Sequence, residues 1–297
     1  EQTEWMKPGS GDGFLVWDKN GNGIIDDNTE MMSEFDEHGN KKFQNGFEKL
    51  AYYFDKDGDG FISAEEFHMA LRSIGTYMSM AEVQELMLQL GSKYGTDKVL
   101  VHRYHEAYGQ FLLPYIQQGG SLLEIGIHQS ASLKMWLAMF PRMYIYGIDI
   151  GVSKEGERFT IHKADQSSEE QLRGVVGAVK HPVNIIVDDG SHLPEHQIIS
   201  FNVLFPLLEE GGVYIIEDVE TSYWTRGEIY GYLTRYGHKH PASIVEIFKD
   251  AADAVNVHIT GTRPSLVQHI EDIRSVTFAY NCIVVVKHTK RGKERPP

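Results

Sequence analysis

Oxygen-bearing groups recur at fixed steps in one short stretch near the front of the chain. Counted over twelve residues, positions 1, 3, 5, 7, 9 and 12 of this stretch are Asp55, Asp57, Asp59, Phe61, Ser63 and Glu66. Carboxylates, a hydroxyl and the main-chain carbonyl of position 7 are hard oxygen ligands, and Gly60 allows the sharp turn that gathers them. This order and spacing predict a calcium site, although Asp- and Gly-rich stretches also form ordinary turns.

A second stretch, which begins 37 residues earlier, repeats this order of ligands. Its six predicted calcium ligands are Asp18, Asn20, Asn22, Ile24, Asp26 and Glu30. We expect weaker binding here, because asparagine lowers the ligand charge and the closing Glu30 comes one residue late. Both stretches resemble EF-hand loops, and the run from Leu71 to Met87 resembles the calmodulin family. The resemblance implies an N-terminal all-α EF-hand domain over residues 1–90 that binds Ca2+. A sensor role and a structural role for the calcium both stay open.

A third interval of 37 residues leads to residues 92–103, where the acidic ligands are missing. Ser92, Tyr94, Thr96 and Arg103 stand at loop positions 1, 3, 5 and 12. If this segment is a hand, it is a relict that binds no calcium. The internal repeat therefore has two complete units and at most one incomplete unit.

The acidic residues are concentrated in the same front segment. Residues 1–90 hold 18 of the 42 Asp and Glu residues but only 7 of the 28 Lys and Arg residues. The net charge is −14 and there is no basic stripe, so we expect no binding to nucleic acid, whose affinity comes from Lys and Arg. No apolar run approaches the roughly 20 residues that cross a bilayer. We therefore expect no membrane span and a soluble protein, with the cytoplasm slightly favoured.

From about residue 120 the pattern changes to short apolar runs that end in a glycine or an acid. The runs that predict strands are 121–126, 143–149, 183–189, 213–218, 276–280 and 283–287. Strands that alternate with helical stretches predict an α/β fold with a doubly wound, Rossmann-like sheet, whose ligands bind at the carboxyl ends of the strands. The acids at these ends are Glu124, Asp149, Asp188, Asp189, Glu217 and Asp218. Any single one of them can cap a helix, but the whole set predicts a site.

Glu124 and Gly126 after the first strand, and Asp149 after the second, resemble the nucleoside-binding part of class I S-adenosylmethionine methyltransferases. In that family the glycine lets the backbone approach the cofactor, and the acid accepts hydrogen bonds from the ribose hydroxyls. A nicotinamide enzyme also places an acid there, but it prefers G-x-G-x-x-G, whereas Gly126 is followed by Ile-His-Gln-Ser-Ala. The sequence offers no cradle for a pyrophosphate, which favours S-adenosylmethionine.

A narrower resemblance covers residues 92–288 and rests on several short motifs. They are Ser92–Lys98, Leu123–Gly126, Ser132–Trp136, Tyr146–Asp149, Ala164–Gln166, Asp188–His192, Glu217–Trp224 and Asn281–Lys287. Together they resemble the macrocin and mycinamicin type of sugar O-methyltransferase, so we expect a methyltransferase domain over residues 91–297. The motif at residues 92–98 overlaps the third repeat, and the missing calcium ligands favour the methyltransferase interpretation there.

This resemblance implies a magnesium-dependent transfer of a methyl group from S-adenosylmethionine to a hydroxyl. It assigns Mg2+ to Asp189, Glu217 and Asp218, and it makes Asp189 and His192 the catalytic residues, with His192 as the base. The residues that it assigns to the cofactor are Glu124, Gly126, Ser132, Asp149, Asp165, Gln166 and Asp188. The acceptor is expected to be a small molecule, a sugar or a glycosylated metabolite, covered by residues 226–264. The sequence leaves a homo-oligomer open.

A different class of function stays open beside this one. The chain would then be a calcium-responsive binding protein with an inert methyltransferase-like domain. Three mutually repelling acids together with His192 speak against inertness, although a histidine taken alone is by default a surface or structural residue. Cys282 is the single cysteine, so an internal disulfide is excluded, and we expect a small buried apolar side chain there.

Overall fold

A computed structural model gives the structure of the chain. It describes residues 33, 35–36, 38, 40–44, 46–55, 78–225, 228–229, 231–233, 235–255, 261 and 266–288. The chain divides into two compact units, Glu1–Met78 and Ser79–Pro297. The domain boundary expected after residue 90 falls inside a helix of the second unit, α2 (Met80–Tyr94).

The first unit contains one described helix, α1 (Gly46–Phe54), which ends just before Asp55. Phe43, Leu50 and Phe54 are buried. The predicted ligands other than Asp55 lie outside the described residues, so the structure does not show the predicted EF-hand pair.

The second unit is built on an eight-stranded sheet. Its strands are β1 (Gly120–Ile125), β2 (Met143–Asp149), β3 (Lys154–Gly156), β4 (Phe159–Lys163), β5 (Val183–Asp188), β6 (Leu208–Ile216), β9 (Ile273–Ala279) and β10 (Cys282–Lys287), while β7 (Glu228–Ile229) and β8 (Tyr232–Leu233) form a separate small pair. The order across the sheet is β3-β4-β2-β1-β5-β6-β10-β9, and β4, β2, β1, β5 and β6 are parallel. The predicted Rossmann-like α/β sheet is therefore confirmed, and its last two strands, β9 and β10, are antiparallel.

Helices cover both faces of the sheet. The further helices of the second unit are α3 (Asp97–Leu100), α4 (His105–Leu112), α5 (Ala131–Met139), α6 (Glu169–Ala178), α7 (Pro194–Leu204) and α8 (Ile244–Ala254). Helices α2, α4 and α5 pack together, and α6, α7 and α8 form a second group in which Phe201 contacts Tyr214 of β6 and Phe248 of α8. Every residue of β5 is buried, as expected for a parallel strand covered on both faces.

The sheet brings the carboxyl ends of its central strands to one edge. Asp188 at the end of β5 pairs with Ile125 of β1 and with Ile216 of β6. The backbone continues this alignment beyond the strands, because Asp189 N donates to Ile125 O (3.0 Å) and Glu217 N donates to Asp188 O (2.9 Å). Among the described residues, no helix is long and apolar enough to span a membrane.

Candidate active site

A cavity of about 900 Å3 opens at this edge of the sheet. It lies where a Rossmann-like sheet binds its ligands. Eight of the predicted site residues line it: Gly126, Ser132, Asp149, Asp165, Gln166, Asp189, His192 and Asp218. Glu124, Asp188 and Glu217 are fully buried behind its wall.

The Asp149 carboxylate is fixed in place by backbone donors. Its Oδ1 accepts from the N–H groups of Gly151 (2.8 Å) and Val152 (3.1 Å), and its Oδ2 accepts from those of Ile127 (3.2 Å) and His128 (3.1 Å). These bonds orient the acid on the cavity wall without a basic side chain. Four backbone N–H groups therefore preorganise this carboxylate on the cavity wall.

Asp165 and Gln166 follow β4 on the same wall. Hydrogen bonds from the hydroxyl and the N–H of Ser167 lower the pKa of Asp165, so this acid is ionised at neutral pH. The Gln166 amide donates to Asp188 Oδ1 (2.6 Å), and its Oε1 accepts from Ser191 N (2.8 Å). Gln166 therefore ties the buried acid after β5 to the turn that carries His192.

Asp188 supports the wall from behind. Its Oδ2 also accepts from the Tyr214 hydroxyl at 3.2 Å. Complete burial raises the pKa of Asp188 to about 6, although the bonds from Gln166 and Tyr214 oppose the rise. Its contact with the cavity is therefore indirect, through Gln166.

Asp189, His192 and Asp218 come together at the other side of the cavity. One potential ligand atom from each lies within 4.8 Å of those of the other two, and His192 Nε2 is 3.6 Å from Asp218 Oδ2. His192 and Asp218 both have positive φ angles, +57° and +51°, which cost energy in residues other than glycine and concentrate at functional sites. The Thr221 hydroxyl donates to the His192 carbonyl at 2.7 Å and holds that turn.

This group fits a divalent ion. Two carboxylates and an imidazole converge on one point, and carboxylate oxygens are the ligands that Mg2+ prefers. The third predicted magnesium ligand, Glu217, is engaged differently. Its Oε2 contacts the Lys98 ammonium at 2.6 Å, and its Oε1 accepts from the Tyr108 hydroxyl.

Lys98 is a site residue that was not predicted from the sequence. Its ammonium nitrogen lies 2.6 Å from Asp189 Oδ2, 2.6 Å from Glu217 Oε2 and 3.2 Å from Glu124 Oε1. Burial alone would lower the pKa of Lys98, but the three carboxylates outweigh it and hold the pKa well above its ordinary value. The only sequence signal was its place in the Ser92–Lys98 motif.

Glu124 is bound between Lys98 and the start of α5. Its Oε2 accepts from the Ser132 hydroxyl at 2.8 Å. Burial raises the pKa of Glu124, and the Lys98 ammonium works against that rise. Glu124 therefore positions Ser132, which lines the cavity, and Lys98, which contacts the opposite acids.

Two tyrosines and a histidine form a stacked series beside Glu217 and Asp218. His102 stacks on Tyr104 with ring centroids 5.2 Å apart, and Tyr104 stacks on Tyr108 at 5.5 Å. The Tyr104 hydroxyl donates to Asp218 Oδ1 (2.5 Å) and accepts from Asp218 N (3.0 Å). Burial and the nearby acids raise the pKa of both tyrosines, so they remain hydrogen-bond donors. No pattern in the sequence predicted this series.

Comparisons with known proteins agree with this geometry in the larger unit. The family model of the SPM domain matches residues 1–70 and gives no support to the predicted EF-hand pair. Demethylmacrocin O-methyltransferase of Streptomyces fradiae is 38% identical over 146 residues, which are 46% of this chain and 37% of that protein. An O-methyltransferase of Streptomyces olivaceus, 8-demethyl-8-alpha-L-rhamnosyl tetracenomycin-C 2'-O-methyltransferase, is 37% identical over 46% of this chain and 38% of its own length.

The chain thus matches less than half the length of these curated relatives. Among solved structures, the MycE methyltransferase of the mycinamycin biosynthetic pathway, in complex with Mg, SAH and mycinamycin VI, is similar with a TM-score of 0.61. It is 26% identical, and the match covers 82% of this chain and 64% of that one. By sequence and by fold, the chain is therefore similar to S-adenosylmethionine-dependent sugar O-methyltransferases of the MycE type.

Proposed function

We propose that the chain is a magnesium-dependent O-methyltransferase that moves a methyl group from S-adenosylmethionine to a hydroxyl of a sugar or glycosylated metabolite. The observation that carries this proposal is the group of Asp189, His192 and Asp218 on one side of a cavity whose other side holds Asp149 and Asp165. The similarity to the MycE structure with Mg and SAH supports the same pairing of cofactor and metal.

The wall after β2 and β4 would bind the nucleoside. Asp149 accepts hydrogen bonds from the ribose hydroxyls, and Asp165 faces the adenine amine. The turn at Gly126 leaves room for the methionine portion, beside the Ser132 hydroxyl. These residues would bind and orient the cofactor, which would supply the methyl group.

The side formed by Asp189 and Asp218 would orient the acceptor. A divalent ion held there would act as a Lewis acid and would lower the pKa of the acceptor hydroxyl. His192 takes the hydroxyl proton on a ring nitrogen, next to Asp218, which stabilises the resulting imidazolium. The acceptor oxygen then forms a bond to the methyl carbon while the carbon–sulfur bond breaks, giving the methyl ether and S-adenosylhomocysteine.

Calorimetry on two acid variants tests this assignment. Asp165→Asn is expected to weaken S-adenosylmethionine binding and leave Mg2+ binding unchanged, because only the nucleoside side loses a charge. Asp189→Asn is expected to weaken Mg2+ binding and to leave S-adenosylmethionine binding unchanged. It should also lower the rate of methyl transfer to a sugar acceptor. NAD serves as the control ligand. Binding of NAD in place of S-adenosylmethionine would refute the proposal, and calcium binding without any nucleoside binding would favour the inert alternative.

We also propose that residues 1–90 bind Ca2+ through the two EF-hand loops. The support is the order of oxygen ligands in the sequence, since all but Asp55 lie outside the described residues. Calcium is expected to raise the unfolding temperature of the full chain, because it binds the folded state. Glu66→Gln should remove most of that shift, whereas the neighbouring Glu65→Gln, which is not a predicted ligand, should keep it. A melting curve that a chelator leaves unchanged would disprove calcium binding.

A further inference from the structure

Lys98 contacts one predicted cofactor residue, Glu124, and two predicted magnesium ligands, Asp189 and Glu217. It is carried by the short helix α3, while its partners come from the ends of β1, β5 and β6. Its side chain is 1% exposed, and those of Glu124 and Glu217 are 0% and 1% exposed. Such deeply buried carboxylates need a positive charge close to them, because water cannot screen them.

The Lys98 ammonium contacts carboxylate oxygens that a divalent ion would also bind. It lies 2.6 Å from Asp189 Oδ2 and 2.6 Å from Glu217 Oε2, and both carboxylates are predicted magnesium ligands. Two cations that share these oxygens repel each other at short range, and a low-dielectric surrounding makes the repulsion large. Lys98 must therefore affect how tightly a divalent ion binds.

We infer that Lys98 is a resident counter-cation that holds Glu124, Asp189 and Glu217 in place and competes with the divalent ion for the oxygens of Asp189 and Glu217. Lys98 is thus a positioning residue. When the ion binds, the ammonium yields these oxygens and keeps its contact with Glu124. The inference rests on the metal site of the proposed function and adds an internal competitor to it.

Titration of Mn2+ into the full chain, with Ca2+ present to fill the predicted EF-hand loops, is followed by electron paramagnetic resonance of the free ion and tests this inference without any activity measurement. Lys98→Met removes the charge and keeps the length of the side chain. We expect its Kd for Mn2+ to fall by about tenfold or more relative to the wild type, because the competing charge is gone. Lys98→Arg keeps the charge and should bind Mn2+ about as the wild type does. A purely structural lysine would give weaker or unchanged binding in Lys98→Met, and that result overturns the inference.

Lys98→Gln is a second neutral variant with the same expected tightening, in case the methionine variant does not fold. If both neutral variants fold only when Mn2+ is present, the inference is supported, since the ion then replaces the missing charge. If neither folds at saturating Mn2+, Lys98 acts in folding and the inference is overturned. If the wild type binds no Mn2+ at all, the metal site of the proposed function fails. Equal binding by wild type and variants refutes only the role of Lys98.

Discussion

Replacing His192 by alanine is expected to lower the kcat of methyl transfer by about 10²–10⁴-fold, the usual contribution of a general base. His192 lines the cavity, and its Nε2 lies 3.6 Å from Asp218 Oδ2, so the imidazolium formed during the reaction has an acid beside it. Binding of S-adenosylmethionine should stay within a few-fold of the wild type, because the nucleoside wall is untouched. Initial rates at saturating cofactor and calorimetry of cofactor binding measure the two effects separately.

His196 offers a matched control for that variant. It lines the same cavity, but its Nδ1 is hydrogen-bonded to the Ser191 hydroxyl at 2.8 Å. His196 is not a member of the Asp189, His192 and Asp218 group. His196→Ala should therefore cost less than about tenfold in kcat. If kcat fell strongly in His196→Ala and changed little in His192→Ala, the general base would be His196 instead of His192.

Gly126→Ala is expected to damage both stability and activity. Gly126 has a φ of +88°, and an added Cβ would lie 1.9 Å from the Asp189 carbonyl oxygen. The left-handed backbone and the clash should lower the free energy of unfolding by about 2–4 kcal/mol. The clash falls on the backbone of a predicted metal ligand, so kcat should also fall by about 10²-fold, the cost of a displacement of roughly 1 Å. Urea unfolding and initial rates provide the two measurements.

Gly174→Ala is the corresponding control. This glycine lies inside α6, and a Cβ added there would meet no atom within 4 Å. The substitution should raise the free energy of unfolding by about 0.5–1 kcal/mol, because glycine is unfavourable inside a helix. Activity should be unchanged. If Gly126→Ala were as harmless as Gly174→Ala, the close approach of β1 and β5 would have no functional importance.

The sequence predicted the central sheet because parallel strands buried on both faces have a clear signature. The apolar runs that contain β1, β2, β5 and β6 each end in a glycine or an acid, and the structure places these ends at one edge. The short strands β3 and β4 were not predicted. All three residues of β3 are exposed, so no apolar run marks that strand.

The supporting contacts could not be predicted in the same way. Lys98 meets Asp189 and Glu217 across 91 and 119 residues of sequence, and Tyr108 meets Glu217 across 109. Such pairings depend on how α3 and α4 pack beside the sheet, which no local pattern records. The mutual repulsion of the three predicted magnesium ligands is also smaller than the sequence suggested, because the Lys98 ammonium neutralises part of their charge.

The stacked series of His102, Tyr104 and Tyr108 has a practical consequence for anyone who shortens this protein. A fragment that starts at Gly120 would retain all eight strands of the large sheet, and by its sheet alone it would look like a complete Rossmann-like enzyme. It would nevertheless lose the hydroxyls that hold Glu217 and Asp218 and the ammonium that neutralises Glu124. The smallest fragment worth expressing therefore begins at Ser79, about 40 residues before β1.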